Sequence, residues 1–180
     1  MARQVRHPED GQLVADELRF IAGALRHMYE GPTWHGPSVR EALDGVNAGD
    51  AAARSLPGVH TIFEIAHHIA AWVGEVERRL RGAEPGDPQD GDFPVADTVV
   101  DEAMWNTVRA RVEGRHHSLI EAVLGFQDSR LGERVGSDLN AQLGTGGSYR
   151  EMLRGVIEHD AYHAGQIVLL RKGLRGRPNS

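Results

Sequence analysis

Four long segments with the hydrophobic spacing of amphipathic α-helices constrain the fold of this chain more than any other feature. Apolar residues recur every three or four positions in four ranges, 9–29, 61–80, 98–124 and 148–172. In the first range the apolar stripe consists of Leu13, Leu18, Ile21 and Leu25. No segment shows the alternating period of a β-strand, so we predict an all-α protein.

Local start and stop signals support these helices. Thr61-x-x-Glu64 and Ser148-x-x-Glu151 match the capping box, and Thr98-x-x-Asp101 is a weaker version of it. Gly173 is placed to end the last helix.

The connections between the helices are long. Residues 31–58 leave room for two short helices around Val39–Leu43 and Ala48–Arg54. Residues 82–96 are rich in Gly, Pro and Asp, which predicts a surface loop. Residues 127–147 are predicted to form a crossover connection. A chain of 180 residues fits one domain. We therefore predict a single four-helix-bundle domain over residues 1–180, with an ordered core of about residues 9–173.

Composition excludes several classes of function. The chain contains no cysteine, so a transition metal would have to be bound by histidine and carboxylate side chains. The net charge of -6 argues against a nucleic-acid partner. No apolar run approaches the roughly 18 residues of a membrane span, and the first residues do not resemble a signal peptide, so we expect a cytoplasmic protein without a membrane partner.

The last predicted helix carries two histidines on one face. His159 and His163 are four positions apart, which stacks their imidazoles closely enough to share a metal ion. His163 falls within the apolar stripe of this helix and His159 lies on its edge. Because two core-facing imidazoles need partners for four ring nitrogens, the pair favours a metal site over an isolated buried histidine.

The second predicted helix offers a third ligand. His68 flanks the apolar stripe on the same side as Trp72 and Glu75, whereas His67 points away from it and is interpreted as a surface residue. We therefore choose His68 as the ligand. Three histidines with an open position are typical of a catalytic metal site.

Two carboxylates near these histidines allow different interpretations. Asp160 lies close to the centre of the apolar stripe, either as an acceptor that orients a ligand histidine or in a buried ion pair with an arginine of the first or third helix. Glu75 is a candidate general base, although an exposed helix carboxylate is the simpler interpretation. His116 and His117 lie in a polar stretch and are predicted to be solvated.

Two segments of the chain resemble a known family. HTIFEIAHHIAAW (His60–Trp72) and EHDAYHAGQIVLLRK (Glu158–Lys172) are similar to the DinB-like superfamily, also described as YfiT-like metal-dependent hydrolases. The WHGPSV stretch at Trp34–Val39 is similar to one found in part of this group. The resemblance implies a four-helix bundle, a homodimer, and one divalent metal ion on His68, His159 and His163. Zinc or nickel is the ion that we expect there.

The resemblance also implies an enzyme that acts on a small molecule. Relatives include transferases and isomerases that use a low-molecular-weight thiol, and others are described as hydrolases. Trp72 and Trp34 are candidate pocket residues, and Glu75, Tyr162 and Gln166 are candidate catalytic residues. The leading hypothesis is a metal-dependent thiol S-transferase or hydrolase.

Two alternatives stay open at this stage. One is a metal-binding stress-response bundle without turnover, closed by a fourth protein ligand such as Glu75 or Asp160. The other is a ferritin-like di-metal carboxylate protein built on Glu64-x-x-His67 and Glu113-x-x-His116, which would leave His159 and His163 unused.

Overall fold

The chain folds into helices and loops. The computed structural model describes residues 8–95, 98–138, 140 and 142–175, and in the first helix it places side chains from residue 17 onward. The α-helices are α1 Pro8–Glu30, α2 Val39–Leu43, α3 Ala48–Ala52, α4 Ile62–Leu80, α5 Glu102–Leu124 and α6 Tyr149–Arg175, with one 3₁₀ turn at Asp128–Arg130. Over these described ranges there is no β-strand, only two isolated bridges. The all-α prediction is confirmed.

The two predicted capping boxes are both present. At the start of α4 the Thr61 hydroxyl accepts from the Glu64 amide at 3.2 Å, and the Glu64 carboxylate accepts from the Thr61 amide at 2.9 Å. At the start of α6 the corresponding distances between Ser148 and Glu151 are 3.3 and 2.7 Å. These bonds satisfy amides that a helix start leaves without an intrahelical partner, and they fix where the two site-bearing helices begin.

Two predicted helix boundaries are wrong, the start of α5 and the end of α6. α5 begins four residues late because Asp101, rather than Thr98, is its N-cap and accepts from the Met104 amide at 2.7 Å. The Thr98 hydroxyl instead donates to the Val95 carbonyl. α6 continues through Gly173 to Arg175, and Leu174 packs against the core. That contact offsets the roughly 1 kcal/mol that glycine costs within a helix.

The four long helices bury their apolar stripes against one another. α4 contacts α5 and α6, and α1 contacts the same two helices. Leu18, Ile21 and Leu25 of α1 are buried as predicted, whereas the side chain of Leu13 lies outside the described residues. In α4 the buried stripe consists of Ile62, Ile65, Ile69, Val76 and Leu80. Burial of each such side chain stabilises the fold by about 1.5–3 kcal/mol. The packing of α4 against α6 therefore holds the site side chains of both helices in fixed positions.

The connections agree with the sequence where they are described. The two short helices α2 and α3 form at the predicted positions, although α3 ends at Ala52. Residues 82–95 form a loop without regular secondary structure, and residues 96 and 97 lie outside the described part. None of the described helices combines the length and the apolar character needed to cross a membrane.

Candidate metal centre

Three histidines from α4 and α6 converge at the contact between these helices. His68 and His163 are 9% and 8% exposed, and His159 is half-buried at the edge. One ring nitrogen from each of the three lies within 4.8 Å of the others. The closest pair is Nε2 of His68 and Nε2 of His159, 3.0 Å apart. Periodicity therefore selected the α4 histidine that meets the α6 pair.

The other ring nitrogens of two of these histidines face acceptors. Nδ1 of His68 lies 2.8 Å from a carboxylate oxygen of Asp92, and Nδ1 of His163 lies 2.7 Å from the amide oxygen of Gln166. A neutral imidazole carries one proton, and these contacts place it on Nδ1. The Nε2 lone pairs of both rings are then directed at the common centre.

His159 completes a donor set that suits a cation. Its Nδ1 is buried and lies 3.5 Å from Oδ1 of Asp160, and within the part of the chain that is described neither atom has a hydrogen-bond partner. If Nδ1 carries the proton, the Nε2 lone pair of His159 faces that of His68 at 3.0 Å. Two such lone pairs repel each other, and a metal ion that both can bind removes the conflict. Imidazole nitrogens are the donors that zinc and nickel accept.

The protonation states of the cluster also suit metal binding. Burial, followed by the neighbouring His159, lowers the pKa of His163 to about 4. The same two causes lower the pKa of His68. Both rings are therefore neutral at pH 7, which is the form that binds a metal.

Asp160 is fully buried and forms an ion pair, but not with an arginine. Its Oδ2 lies 3.0 Å from Nε2 of His116 on α5. Burial raises the pKa of the Asp160 carboxyl, but the charge and hydrogen bond of His116, with a smaller contribution from His159, outweigh this effect and hold the pKa below its ordinary value. Of the two interpretations of Asp160, the ion pair with an arginine is wrong, because the partner is His116. That Asp160 orients a ligand histidine stays a prediction.

The prediction that His116 is solvated is wrong. His116 is 1% exposed and stacks on Tyr29, with ring centroids 4.4 Å apart. Its neighbour His117 is exposed, as predicted, and lies 3.4 Å from Glu30. The neighbours of His116 in the sequence are polar, so the sequence suggests an exposed position. On a helix, however, adjacent residues point in different directions, and His116 points inward while its neighbours point to water.

Asp92 and Phe93 are site residues that the sequence did not reveal. Besides His68, the Asp92 carboxylate accepts from Nε1 of Trp72 at 2.7 Å. The Phe93 ring lies between His60 and His68, with centroid distances of 3.8 and 4.4 Å. Both residues belong to the loop of residues 82–95, where no periodicity indicates which side chains point inward.

Glu75 is buried rather than exposed, at 2% exposure. Its carboxylate accepts from Arg78 and Arg79, both at 2.7 Å, and from the Gly86 amide at 3.1 Å. Burial raises the pKa of this carboxyl, but the hydrogen bonds more than compensate, and the pKa lies below its ordinary value. Glu75 therefore connects α4 to the following loop, and its oxygens are engaged there.

The remaining candidates divide into those near the cluster and those away from it. Tyr162 is 64% exposed, and its hydroxyl accepts from the Gln166 amide at 3.0 Å, so both adjoin His163. Trp72 lines a cleft of about 790 Å³ that also includes His68 and His159. Trp34 is 97% exposed and does not line this cleft.

The cleft has an apolar wall and polar edges. Its apolar side chains are Trp72, Val76, Leu143, Met152 and Val156. Arg79 lines it as well, but its guanidinium donates to the carbonyls of Leu143 and Gly86 and to Glu75. The cluster thus opens on a space large enough for a small molecule.

The motifs of the di-metal alternative do not converge. Glu64 is engaged by Thr61, Arg54 and His60, and Glu113 is exposed while His116 faces Asp160. Over the described ranges, His68, His159 and His163 are the group of metal-binding side chains that the structure brings together.

Comparison with known proteins agrees with the resemblance seen in the sequence. A family model described as the DinB superfamily matches residues 33–167. No curated protein and no solved structure matches the chain. The matched range contains the three histidines together with Asp92, His116 and Asp160.

Proposed function

The chain belongs to the DinB superfamily, and from that premise we propose that it is an enzyme that binds one divalent metal ion through His68, His159 and His163. The observation that carries this proposal is the convergence of three imidazoles whose ligand nitrogens lie within 4.8 Å of one another beside an open cleft. We further propose that α1, α4, α5 and α6 form a four-helix bundle, that the chain is a single domain, and that it pairs as a homodimer.

Zinc and nickel are the ions that we expect. The ligand set offers only imidazole nitrogen, which suits either ion better than magnesium or calcium. A bound ion of this kind supplies Lewis acidity and lowers the pKa of a coordinated water or thiol. The side chains around it hold the ligands in place: Asp92 accepts the Nδ1 proton of His68, and Gln166 accepts that of His163.

The cleft favours thiol-dependent S-transfer as the reaction. A transferase needs an apolar space for the electrophile next to the activated sulfur, and the apolar wall formed by Trp72, Met152 and Val156 supplies one beside His68 and His159. The chain has no cysteine, so the thiol would be a separate low-molecular-weight compound. The second substrate would be a small apolar electrophile.

Hydrolysis is the second candidate, supported by a different observation. Tyr162 is 64% exposed, and its hydroxyl is linked through Gln166 to His163, which places an O–H group close to both the cluster and the solvent. A hydrolase would use such a group to move a proton to the leaving group.

A non-catalytic metal site is less well supported. Such a site would be closed by a fourth protein ligand. The two carboxylates proposed for that position are engaged elsewhere, Glu75 by two arginines and Asp160 by His116. The cluster also adjoins a cleft rather than a closed interior.

The test is turnover by the zinc-loaded and nickel-loaded protein. We expect conjugation of a chromogenic electrophile only when a low-molecular-weight thiol is added, and no turnover after treatment with a chelator. Ester cleavage without thiol would support the hydrolase instead. Tight binding of one ion with neither activity, over panels of thiols, electrophiles and esters, would favour the non-catalytic alternative.

Replacing Asp92 with asparagine is expected to weaken metal binding by about 10-fold, at the lower end of the roughly 10–100-fold range seen for partners of ligand histidines. Asparagine preserves the shape but removes the negative charge that attracts the Nδ1 proton of His68. Competition with a chromophoric chelator measures the affinity. Asp87→Asn, on the same loop and lining the same cleft, is the matched control, and equal affinities of Asp92→Asn and the wild type would contradict the prediction.

A further inference from the structure

A buried imidazole on α5 lies behind the candidate metal centre. His116 is 1% exposed, and both of its ring nitrogens are engaged. Nδ1 lies 2.6 Å from the carbonyl oxygen of Val112, one turn earlier on the same helix. Nε2 lies 3.0 Å from Oδ2 of Asp160 on α6.

These contacts determine how many protons the ring carries. A carbonyl oxygen and a carboxylate oxygen are both acceptors, whereas a neutral imidazole has only one N–H to donate. Both bonds form when His116 is an imidazolium. The Tyr29 ring stacks on it, with the two planes 18° apart, and an aromatic face favours a cation. His116 is therefore the positive partner of a buried ion pair.

The negative partner connects this pair to the three-histidine cluster. Oδ2 of Asp160 is used by His116, and Oδ1 lies 3.5 Å from Nδ1 of His159. Oδ1 and this Nδ1 are buried atoms without a hydrogen-bond partner in the described part of the chain. One carboxylate thus faces a cation on one side and a ring nitrogen of the cluster on the other.

The burial of Asp160 explains why a cation is needed there. The Asp92 side chain, which faces His68, is 53% exposed and is hydrated by solvent. Asp160 is 0% exposed, and an ionised carboxylate without water requires a counter-charge. Within the described ranges, Asp92 and Asp160 face the cluster, and it is the buried Asp160 that has a second histidine, His116, on its other side.

We propose that His116 is a positioning residue for the metal centre: it fixes Asp160 and balances its charge, so that Oδ1 of Asp160 is aimed at Nδ1 of His159 and Nε2 of His159 is presented to the ion. This inference rests on the proposed metal-binding function and adds a residue, on a third helix, that contacts none of the ligands. Loss of a residue that orients a metal ligand from behind typically costs roughly 10–100-fold in metal affinity.

The experiment measures binding of cobalt(II), a coloured substitute for zinc, to the full chain. His116→Phe keeps a ring that can stack on Tyr29 but has neither N–H. We expect its dissociation constant for cobalt(II) to rise roughly 10–100-fold and the visible absorption of the bound cobalt to change, because His159 is no longer held. His116→Gln keeps an amide donor for Asp160, and its affinity is expected to lie between those of His116→Phe and the wild type.

A control separates this role from a general loss of stability. Leu119→Ala empties a buried position on the same helix and leaves the Asp160 contact in place, so we expect lower thermal stability with the affinity and spectrum of the wild type. Equal losses of affinity in Leu119→Ala and His116→Phe would overturn the inference. An unchanged affinity and spectrum in His116→Phe would also overturn the inference. If His116→Phe does not fold, the same result in His116→Gln would overturn it. Failure of the wild type to bind cobalt(II), zinc or nickel would overturn the proposed function as well.

Discussion

Replacing His163 with alanine is expected to reduce the metal content from about one divalent ion per chain to essentially none. The variant loses one of three ligands, so its affinity should fall by more than the roughly 10–100-fold that loss of an orienting partner costs. Elemental analysis of protein purified without a polyhistidine tag measures the content directly. Because His163 is 8% exposed in the α4–α6 contact, circular dichroism should accompany it to show that the variant is folded.

The matched control is His67→Ala. His67 is the sequence neighbour of His68, but it is only half-buried and faces the Asp90 carbonyl at 3.1 Å. We expect it to retain the metal content of the wild type. Retention of the ion in His163→Ala would show that the ion is bound elsewhere. Two ions per chain in the wild type would revive the di-metal alternative, and none after incubation with zinc and nickel would remove the metalloenzyme proposal.

Replacing Asp160 with asparagine is expected to lower the free energy of unfolding by about 1–3 kcal/mol, the usual cost of leaving a buried hydrogen-bonding group without its partner. Asparagine has nearly the same volume, so the loss comes from removing the charged acceptor that faces Nε2 of His116 in a site that water does not reach. Urea unfolding of metal-free protein at pH 7 measures it. A loss below about 1 kcal/mol would contradict the buried ion pair, because surface pairs contribute no more than that.

The pH dependence of the same variant provides a second test. The pKa of Asp160 is lower in the folded protein than its ordinary value of 3.8, so its contribution to stability is fully present above about pH 4 and decreases as the pH falls through the folded-state pKa. Asp160→Asn should lack this part of the acid dependence. Glu158→Gln is the control, since that carboxylate is 68% exposed and pairs with Arg154 at 3.3 Å. We expect it to change stability by less than about 1 kcal/mol.

Helix positions and their inward faces were predictable because they depend on local spacing. The period of the apolar residues locates the four long helices, and it places His68, but not His67, beside the buried face of its helix. The capping boxes at Thr61 and Ser148 were predictable for the same reason, since their donors and acceptors lie within one helical turn. The end of α6 was not, because the packing of Leu174 depends on other helices.

The partners of the site residues were not predictable from spacing. Asp160 was identified as a buried carboxylate, but its cation is His116 rather than an arginine, and the two residues are 44 positions apart. Asp92 and Phe93 reach His68 from a loop that carries no periodic signal. The position of Glu75 on α4 predicts an exposed side chain, but the following loop covers its carboxylate, which accepts from the Gly86 amide.

The sequence by itself therefore determined that this chain is helical, that His68 rather than His67 faces inward, and which family it resembles, because these properties follow from residues one or two turns apart and from short motifs. Only the tertiary structure decided which side chains hold the three imidazoles in place. Pairings such as His116 with Asp160 and Asp92 with His68 depend on how helices and loops from distant parts of the chain come together. A helical period identifies the face that is buried, but it contains no information on what that face meets.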